Sequence, residues 1–456
     1  VMNGPAIPTG DSMSYMNCGK LLAETGEYSF PYYSLGENGK RNLEISEPNT
    51  IWPPLTSFLL ATILWLGLST KVAICAIIVA FSGTAIFSSW LLSYRITKSI
   101  CASNIIAILI MTNWAFRLWV QLSFMAEGIF ITVTVVNALL LSNLFEKKEL
   151  QRSIQYLFAG LCVSIAYYIK SAAPAFLLCS CATPFFLKMN SKERVKMIFW
   201  LGLGIALGIA YWLFRNLSFH TIGSAGSGPL PNAIVTSIFE LLRIFVPFHG
   251  SYVASSVTIA FAMTFALLFF YLITLLFIKR ECQQHCFVHF MKYYSSNPAF
   301  VFSLLYCVLF IAVILFAMYI LPIASHIEMR YWLEIVPFAF PLGWVFFRHL
   351  ISKLSGFHIL HAKTIASLLI AVVLIANLRE DVRNHNREWN ILTGEQVALR
   401  KEIANIMKPV GFPVRFQSNQ PVRFETLTGL TSWTIVDNDI NTRTYLGKYC
   451  FVEFPE

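Results

Sequence analysis

The chain has 456 residues, of which 56% are hydrophobic and only 13% are charged. An average soluble domain is about 25% charged, so this composition excludes a disordered protein and an ordinary soluble enzyme. The formal net charge of +10 is compatible with nucleic-acid binding when taken alone; in so apolar a chain it is typical of the basic loops that orient a membrane protein.

Residues 1–53 are comparatively polar and predict an external first loop with juxtamembrane helices, one of them from Asp11 to Glu24. Beyond this loop, apolar stretches recur that approach the roughly 20 residues needed to cross the hydrocarbon. Helical spans are favoured because the period-2 alternation of membrane strands is absent. We predict about ten spans, at residues 54–70, 72–93, 126–145, 153–169, 171–187, 197–215, 253–278, 298–321, 331–348 and 363–378.

Basic residues concentrate in four loops between these spans, near Lys147, Arg194, Arg280 and Lys353. An even number of predicted spans separates each cluster from the next, so all four can lie on the cytoplasmic side. The first loop and the C-terminal tail then lie on the opposite, outer side.

This parity leaves no room for the apolar stretch 101–120 as an extra span, so we predict a re-entrant or interfacial helix there. The alternative is one more full span beside a misassigned neighbour. Because Val1 is already external in this scheme, we also expect an inbound span to precede it.

The tail at residues 379–456 is rich in charged residues and predicts a small external α/β domain. Its pattern indicates a helix over residues 394–407 and strands near residues 413–418 and 449–454. The predicted fold class is therefore an all-α polytopic membrane protein, with a transmembrane domain at residues 54–378 and this extramembrane domain behind it.

Ionisable residues at membrane depth are costly, and several stand at the predicted outer ends of spans. A carboxylate there can deprotonate a hydroxyl, Lys and Arg can bind a phosphate, and a phenol adds a neutral donor. Apolar surroundings suit a lipid-linked substrate. The residues that suggest this chemistry are Asp11, Tyr15, Glu47, Glu127, Lys170, Arg330 and Tyr331.

The order of these features resembles the GT-C membrane glycosyltransferases, which include the dolichyl-phosphate-mannose protein mannosyltransferases and the bacterial aminoarabinose (lipid A) transferase. The resemblance rests on five matches along the chain: Asp11 before Tyr15, Pro53-Pro54-Leu55 at the start of a span, Glu127 heading a later span, Lys170 after Ala166-Tyr167-Tyr168-Ile169, and Arg330-Tyr331 leading to Pro337.

The resemblance implies an inverting glycosyltransferase that moves a sugar from a polyprenyl-phosphate donor to a lipid, glycan or protein acceptor. It implies Asp11 as the catalytic base and a donor phosphate bound by Lys170, Arg330 and Tyr331. The assisting residues would be Tyr15, Glu47 and Glu127. It further implies a divalent metal ion, with Glu127 and His249 as candidate ligands, and a bacterial inner-membrane protein whose site faces the periplasm or an equivalent outer space.

Each of these residues also has a purely structural interpretation. Asp11 can cap a helix, Glu127 can complement a helix dipole, and Lys170 can extend to the membrane interface. Arg330 and Tyr331 fit an interfacial belt equally well.

Two other functions stay open. A transporter or flippase would show paired charges at mid-membrane and internal repeats. A non-catalytic GT-C-fold subunit of a larger membrane complex is the other alternative, because Ser12, Met13 and Trp52 stand where the family pattern has charged residues.

Overall fold

A computed structural model describes two compact units. Unit 1 comprises Val1–Ala80, Val120–Ala126 and Arg387–Glu456, and unit 2 comprises Phe81–Trp119 and Glu127–Asn386. The structure describes residues 10–35, 41–49, 53–146, 153–170, 172–187, 189–218, 294, 296–320, 329–351, 399–405, 414–418, 432–434 and 448–452.

Unit 1 begins with a helical pair. Helix α1 (Gly10–Thr25) matches the helix predicted for the first loop, and it packs against α2 (Leu55–Trp65). The two backbones nearly touch at Gly19, where an added Cβ would lie 2.9 Å from the carbonyl oxygen of Ser57. The hydroxyl of Ser57 also donates to the carbonyl oxygen of Tyr15 at 2.9 Å. This close contact fixes the helix that carries Asp11 and Tyr15.

A five-stranded sheet joins the first loop to the C-terminal tail within unit 1. Strands β1 (Ser29–Leu35) and β2 (Arg41–Pro48) form an antiparallel hairpin. Strand β3 (Val414–Ser418) lies parallel to both β4 (Ser432–Thr434) and β5 (Lys448–Val452), and it meets β1 through the antiparallel pair Leu35 and Val414. Strands β3 and β5 lie where the sequence predicted strands, whereas β4 was not predicted. Residues 399–405 are helical within the predicted helix at 394–407.

The remaining described elements are helices, and most of their residues belong to unit 2. Among the described helices, three are long and apolar enough to cross a membrane: α3 (Thr70–Thr97), α6 (Ala126–Glu146) and α9 (Ser191–Ser218). The bent pair of α4 (Ile100–Thr112) and α5 (Trp114–Leu122) is a fourth candidate. The predicted spans at 253–278 and 363–378 lie outside the described residues. The helices are α3 (Thr70–Thr97), α4 (Ile100–Thr112), α5 (Trp114–Leu122), α6 (Ala126–Glu146), α7 (Ser153–Tyr168), α8 (Ala173–Phe186), α9 (Ser191–Ser218), α10 (Pro298–Ile320), α11 (Met329–Trp332) and α12 (Val336–Ile351).

Helices α3 and α6 run side by side in the same direction. The hydroxyl of Thr132 donates to the carbonyl oxygen of Phe81 at 2.8 Å, and Arg95 pairs with Glu146 at 3.5 Å. Phe81 to Arg95 and Thr132 to Glu146 are both steps of 14 residues, so the contacts repeat in register along two parallel helices.

Two parallel neighbours need a return crossing between them, and α4 with α5 is the chain that connects them. These helices meet at a 58° bend next to Asn113. The structure thus favours a broken span over the predicted re-entrant or interfacial helix at 101–120. Within the predicted span 54–70, the helix α2 has only 11 residues, about 16 Å of helix, against about 30 Å of hydrocarbon.

Helices α7 and α9 pack with their backbones in contact. A Cβ added to Gly204 would collide with the carbonyl oxygen of Leu157 and would lie 3.0 Å from the Cα of Gly160. The hydroxyl of Tyr168 donates to the carbonyl oxygen of Gly208 at 2.6 Å. Small residues permit such close approach between membrane helices, and here the contact fixes the end of α7.

An aromatic core holds the segment that enters α12. The ring of Tyr306 lies 5.7 Å from that of Phe176 and 4.5 Å from that of Phe338, measured between centroids. Trp332 packs edge-on against Phe310 at 6.3 Å. All five side chains are fully buried, so α8, α10, α11 and α12 form one packed body around residues 329–338.

Candidate functional site

An ionic cluster lies inside unit 2, formed by Glu127, Lys170, Arg330, Tyr331 and Glu334. Glu127 is the second residue of α6, and Lys170 follows the 3₁₀ turn that ends α7. Arg330 and Tyr331 lie in α11, and Glu334 lies in the single 3₁₀ turn between α11 and α12. Each side chain therefore stands at the end of a helix, which brings three distant parts of the sequence to one place.

Lys170 is at the centre of the cluster. Its Nζ donates a hydrogen bond to Oε1 of Glu127 at 3.0 Å and lies 2.6 Å from Oε1 of Glu334. The relative exposure of Lys170 is 6%, that of Glu127 is 2%, and that of Glu334 is 0%. Buried charges are tolerated only when they are paired and hydrogen-bonded, so the three groups depend on one another.

The electrostatics keep Lys170 protonated. Burial alone would lower the pKa of its ammonium group, but the negative charges of Glu127 and Glu334, with a smaller effect of Tyr331, raise that pKa above its ordinary value. Neighbouring opposite charges favour the ionised form. The site therefore favours the protonated ammonium form of Lys170 beside the two carboxyl groups.

Aromatic rings lie beside both cations of the cluster, Lys170 and Arg330. Its Nζ lies 4.6 Å from the centroid of the Tyr331 ring, and the guanidinium carbon of Arg330 lies 5.1 Å from the same centroid. The guanidinium also lies 5.9 Å from the ring of Trp119. Contacts of this kind are attractive within about 6 Å, so the rings orient Arg330 alongside Lys170.

The cluster has hydrogen-bonding capacity that the described residues leave unused. Oε2 of Glu127 and Oε2 of Glu334 are buried, and neither has a hydrogen-bond partner among the described residues. Buried polar atoms are nearly always satisfied by protein, water or ligand. Two acceptors are thus available to a polar ligand.

Four of the residues predicted from the sequence are brought together in this cluster: Glu127, Lys170, Arg330 and Tyr331. Asp11 and Tyr15 lie in unit 1, in the first and second turns of α1, where Tyr15 is buried. Glu47 also lies in unit 1, on β2 opposite Phe30, and His249 is outside the described residues. The chemical roles assigned to these residues remain predictions.

The sequence analysis missed two members of the site. Glu334 lies within the predicted span 331–348, and an ionisable residue inside a span marks a functional site by default. That signal was present in the sequence and would have found it. Trp119 had a weaker signal, because its proximity to Arg330 depends on the π-helical turns of Arg117–Leu122, a feature that often marks functional sites.

The described residues do not fit a divalent ion at Glu127. They contain no group of three or more His, Cys, Asp or Glu side chains that could surround one. Oε1 of Glu127 is engaged with the ammonium group of Lys170, and Glu334, the nearby carboxylate, shares that ammonium. Metal ligation by Glu127 and His249 stays a prediction, and no step below involves a metal.

The chain has similarity to other solved structures. ArnT from Cupriavidus metallidurans, bound to undecaprenyl phosphate, has a TM-score of 0.47 and 10% identity, over 96% of this chain and 83% of that chain. The archaeal oligosaccharyltransferase AglB from Archaeoglobus fulgidus, in complex with an inhibitory peptide and a dolichol-phosphate, has a TM-score of 0.47 and 14% identity, over 95% of this chain and 62% of that chain. Both belong to the GT-C superfamily, which the order of motifs resembles. No family model and no curated protein sequence matches the chain.

Proposed function

We propose that the chain is an integral membrane glycosyltransferase of the GT-C type. It transfers a sugar from a polyprenyl-phosphate donor, with inversion, to an acceptor hydroxyl on the outer face of a bacterial inner membrane. The observation that carries the proposal is that Glu127, Lys170 and the Arg330-Tyr331 pair, which match separate family motifs, meet in one buried cluster.

The cluster suits the phosphate of the donor. Lys170 has three N–H donors. Glu127 accepts one of them and Glu334 lies within ion-pair distance, so donor capacity remains for a phosphate oxygen. Arg330 adds a planar fork of donors that matches phosphate geometry. The two carboxylates orient Lys170, while Tyr331 contributes a phenol beside both cations.

The transfer then proceeds by displacement at the sugar. The carboxylate of Asp11 takes the proton of the acceptor hydroxyl, and the acceptor oxygen forms a bond to the anomeric carbon as the bond from that carbon to the phosphate oxygen breaks. The bonding electrons pass to the phosphate oxygen. A phosphodiester with one negative charge becomes a polyprenyl phosphomonoester with up to two, and Asp11 holds the proton.

The test is transfer from radiolabelled polyprenyl-phosphate sugars by purified protein in lipid nanodiscs, with membrane lipids as acceptors. The variant Asp11→Asn should lose at least about 100-fold in rate, the usual contribution of a general base, while it still binds polyprenyl phosphate. Glu27→Gln serves as the control, because Glu27 is exposed beyond the end of α1 and its loss should leave transfer unchanged.

The outcomes separate this proposal from its alternatives. Full transfer by Asp11→Asn contradicts the role of Asp11 as the base. A wild-type protein that binds the donor but never breaks its sugar–phosphate bond points to the non-catalytic subunit instead. Movement of an intact labelled lipid across the bilayer, without transfer, points to a flippase.

A further inference from the structure

Glu334 has no part in the displacement itself, yet it is the most completely buried ionisable side chain of the cluster. Its relative exposure is 0%, its Oε1 lies 2.6 Å from Nζ of Lys170, and its Oε2 has no hydrogen-bond partner among the described residues. A carboxylate this deeply buried is costly. Since Glu127 already pairs with Lys170, a second carboxylate exceeds what one ammonium group requires.

Glu127 and Glu334 together offset the positive charge of Lys170. The carboxylates of both residues lie within ion-pair distance of its ammonium group. A site built only to hold phosphate tightly would leave its cations uncompensated. With two carboxylates present, each additional negative charge on a ligand is repelled at close range in a poorly screened environment.

The donor and the product of the proposed reaction differ in this respect. The phosphodiester of the donor carries one negative charge. The phosphomonoester product carries about 1.5 to 2 negative charges at pH 7, because its second pKa is about 6. Carboxylates placed beside Lys170 therefore distinguish between the two phosphates without contacting the sugar.

We infer that Glu334 is the residue that makes this site prefer a lipid phosphodiester over a lipid phosphomonoester. It acts through Lys170, which it holds and partly neutralises, and it thereby promotes release of the product lipid phosphate. The inference rests on the proposed function, because it concerns the same lipid-phosphate site.

The experiment compares two probes that differ by one charge, a short-chain polyprenyl phosphate and its methyl ester, at pH 8. Each Kd is measured by equilibrium binding to the full chain in nanodiscs. In the wild type the methyl ester should bind at least as tightly as the free phosphate. The Glu334→Gln substitution preserves the shape of the side chain. In this variant the free phosphate should gain about tenfold in affinity relative to the methyl ester, a change expected from removing one nearby charge.

Three further variants keep the test decisive even where Glu334→Gln does not fold. Glu127→Gln also removes one negative charge from Lys170 and should move the ratio in the same direction. Glu334→Asp retains the charge and should keep the wild-type ratio. Glu193→Gln, a change of the same chemistry at an exposed position in the first turn of α9, should keep it too.

The results that would overturn the inference are distinct from those that would overturn the proposed function. If wild type and variants bind both probes with an unchanged ratio, Glu334 does not set the preference, and the lipid-phosphate site survives. If the wild type binds neither probe, the lipid-phosphate site itself is wrong and the inference goes with it. Slower transfer by Glu334→Gln that is relieved by removing the product lipid phosphate would add support from turnover.

Discussion

The ammonium group of Lys170 lies 2.6 Å from Oε1 of Glu334, inside a unit where both side chains are buried. This ion pair connects the turn after α7 to the turn before α12. Because Glu127 at the start of α6 holds the same ammonium at 3.0 Å, one lysine fixes three helix ends. The cluster is therefore a structural element as well as the proposed phosphate site.

Lys170→Met should expose this dual role. The substitution leaves two buried carboxylates without their cation, and breaking a buried ion pair in this way costs about 3–5 kcal/mol. We expect a lower thermal unfolding temperature in detergent together with loss of polyprenyl-phosphate binding. Lys192→Met is the matched control, because Lys192 is exposed at the start of α9, and it should change stability by less than about 0.5 kcal/mol.

A combined variant separates the stability effect from the binding effect. Adding Glu127→Gln and Glu334→Gln to Lys170→Met removes the unpaired carboxylates, so unfolding should return toward the wild-type temperature while lipid-phosphate binding stays lost. Wild-type stability of the single variant would show that the two carboxylates do not depend on Lys170.

Sequence reasoning found part of this site and missed the rest for identifiable reasons. Glu127, Lys170 and Arg330 stand at helix ends, and helix ends can be located from the apolar pattern. The contacts among their side chains could not be predicted from the sequence, because they depend on which helices are neighbours in the fold. Glu334 gives a weak signal because the residues on either side of it are apolar, and one carboxylate does not change the hydrophobic pattern of a span.

The packing of α7 against α9 predicts opposite effects for two glycines on one helix. Gly204→Ala places a methyl group against the backbone of α7, and overpacking of this kind costs about 1–3 kcal/mol. Gly202→Ala meets nothing within 4 Å, so it should stabilise α9 by about 0.5–1 kcal/mol, the usual gain of Ala over Gly in a helix.

Thermal unfolding of both alanine variants in the same detergent checks this prediction. Because α7 leads to Lys170, Gly204→Ala should also weaken polyprenyl-phosphate binding, whereas Gly202→Ala should not. Equal unfolding temperatures for the two variants would contradict the close contact between α7 and α9.

The order of crossings shows a different limit of sequence reasoning. The stretch 54–70 is apolar enough to count as a span, but α2 ends at Trp65, and Gly67 adopts a φ of 81° that a helix cannot continue through. A glycine just past a helix is a C-terminal signal, so the information was present. If α2 does not cross the membrane, α3 runs in the opposite direction and residues 101–120 supply the next crossing.

A topology in which α4 and α5 cross the membrane and α2 does not predicts which positions lie on the same side of it. Since Arg95 pairs with Glu146, cysteines introduced one at a time in place of Lys98 and Glu146 should react with a membrane-impermeant maleimide from the same side. Ser69→Cys lies before the other end of α3, whose 28 residues span about 42 Å, so it should react from the opposite side. The measurement uses sealed vesicles of a cysteine-free background protein, labelled before and after permeabilisation.

The topology predicted in the sequence analysis, with a crossing at residues 54–70, gives a different labelling pattern. The experiment therefore decides between the two topologies. It places residues 98 and 146 on opposite sides and residue 69 on the side of residue 146. Labelling of residue 98 together with residue 146 also places Arg95 and Lys98 with the basic loop that begins at Lys147, as the positive-inside rule requires of one face. Because Glu127 and Glu146 are the two ends of one 21-residue helix, the ionic cluster would then lie about 28 Å from that basic face, at the other side of the membrane.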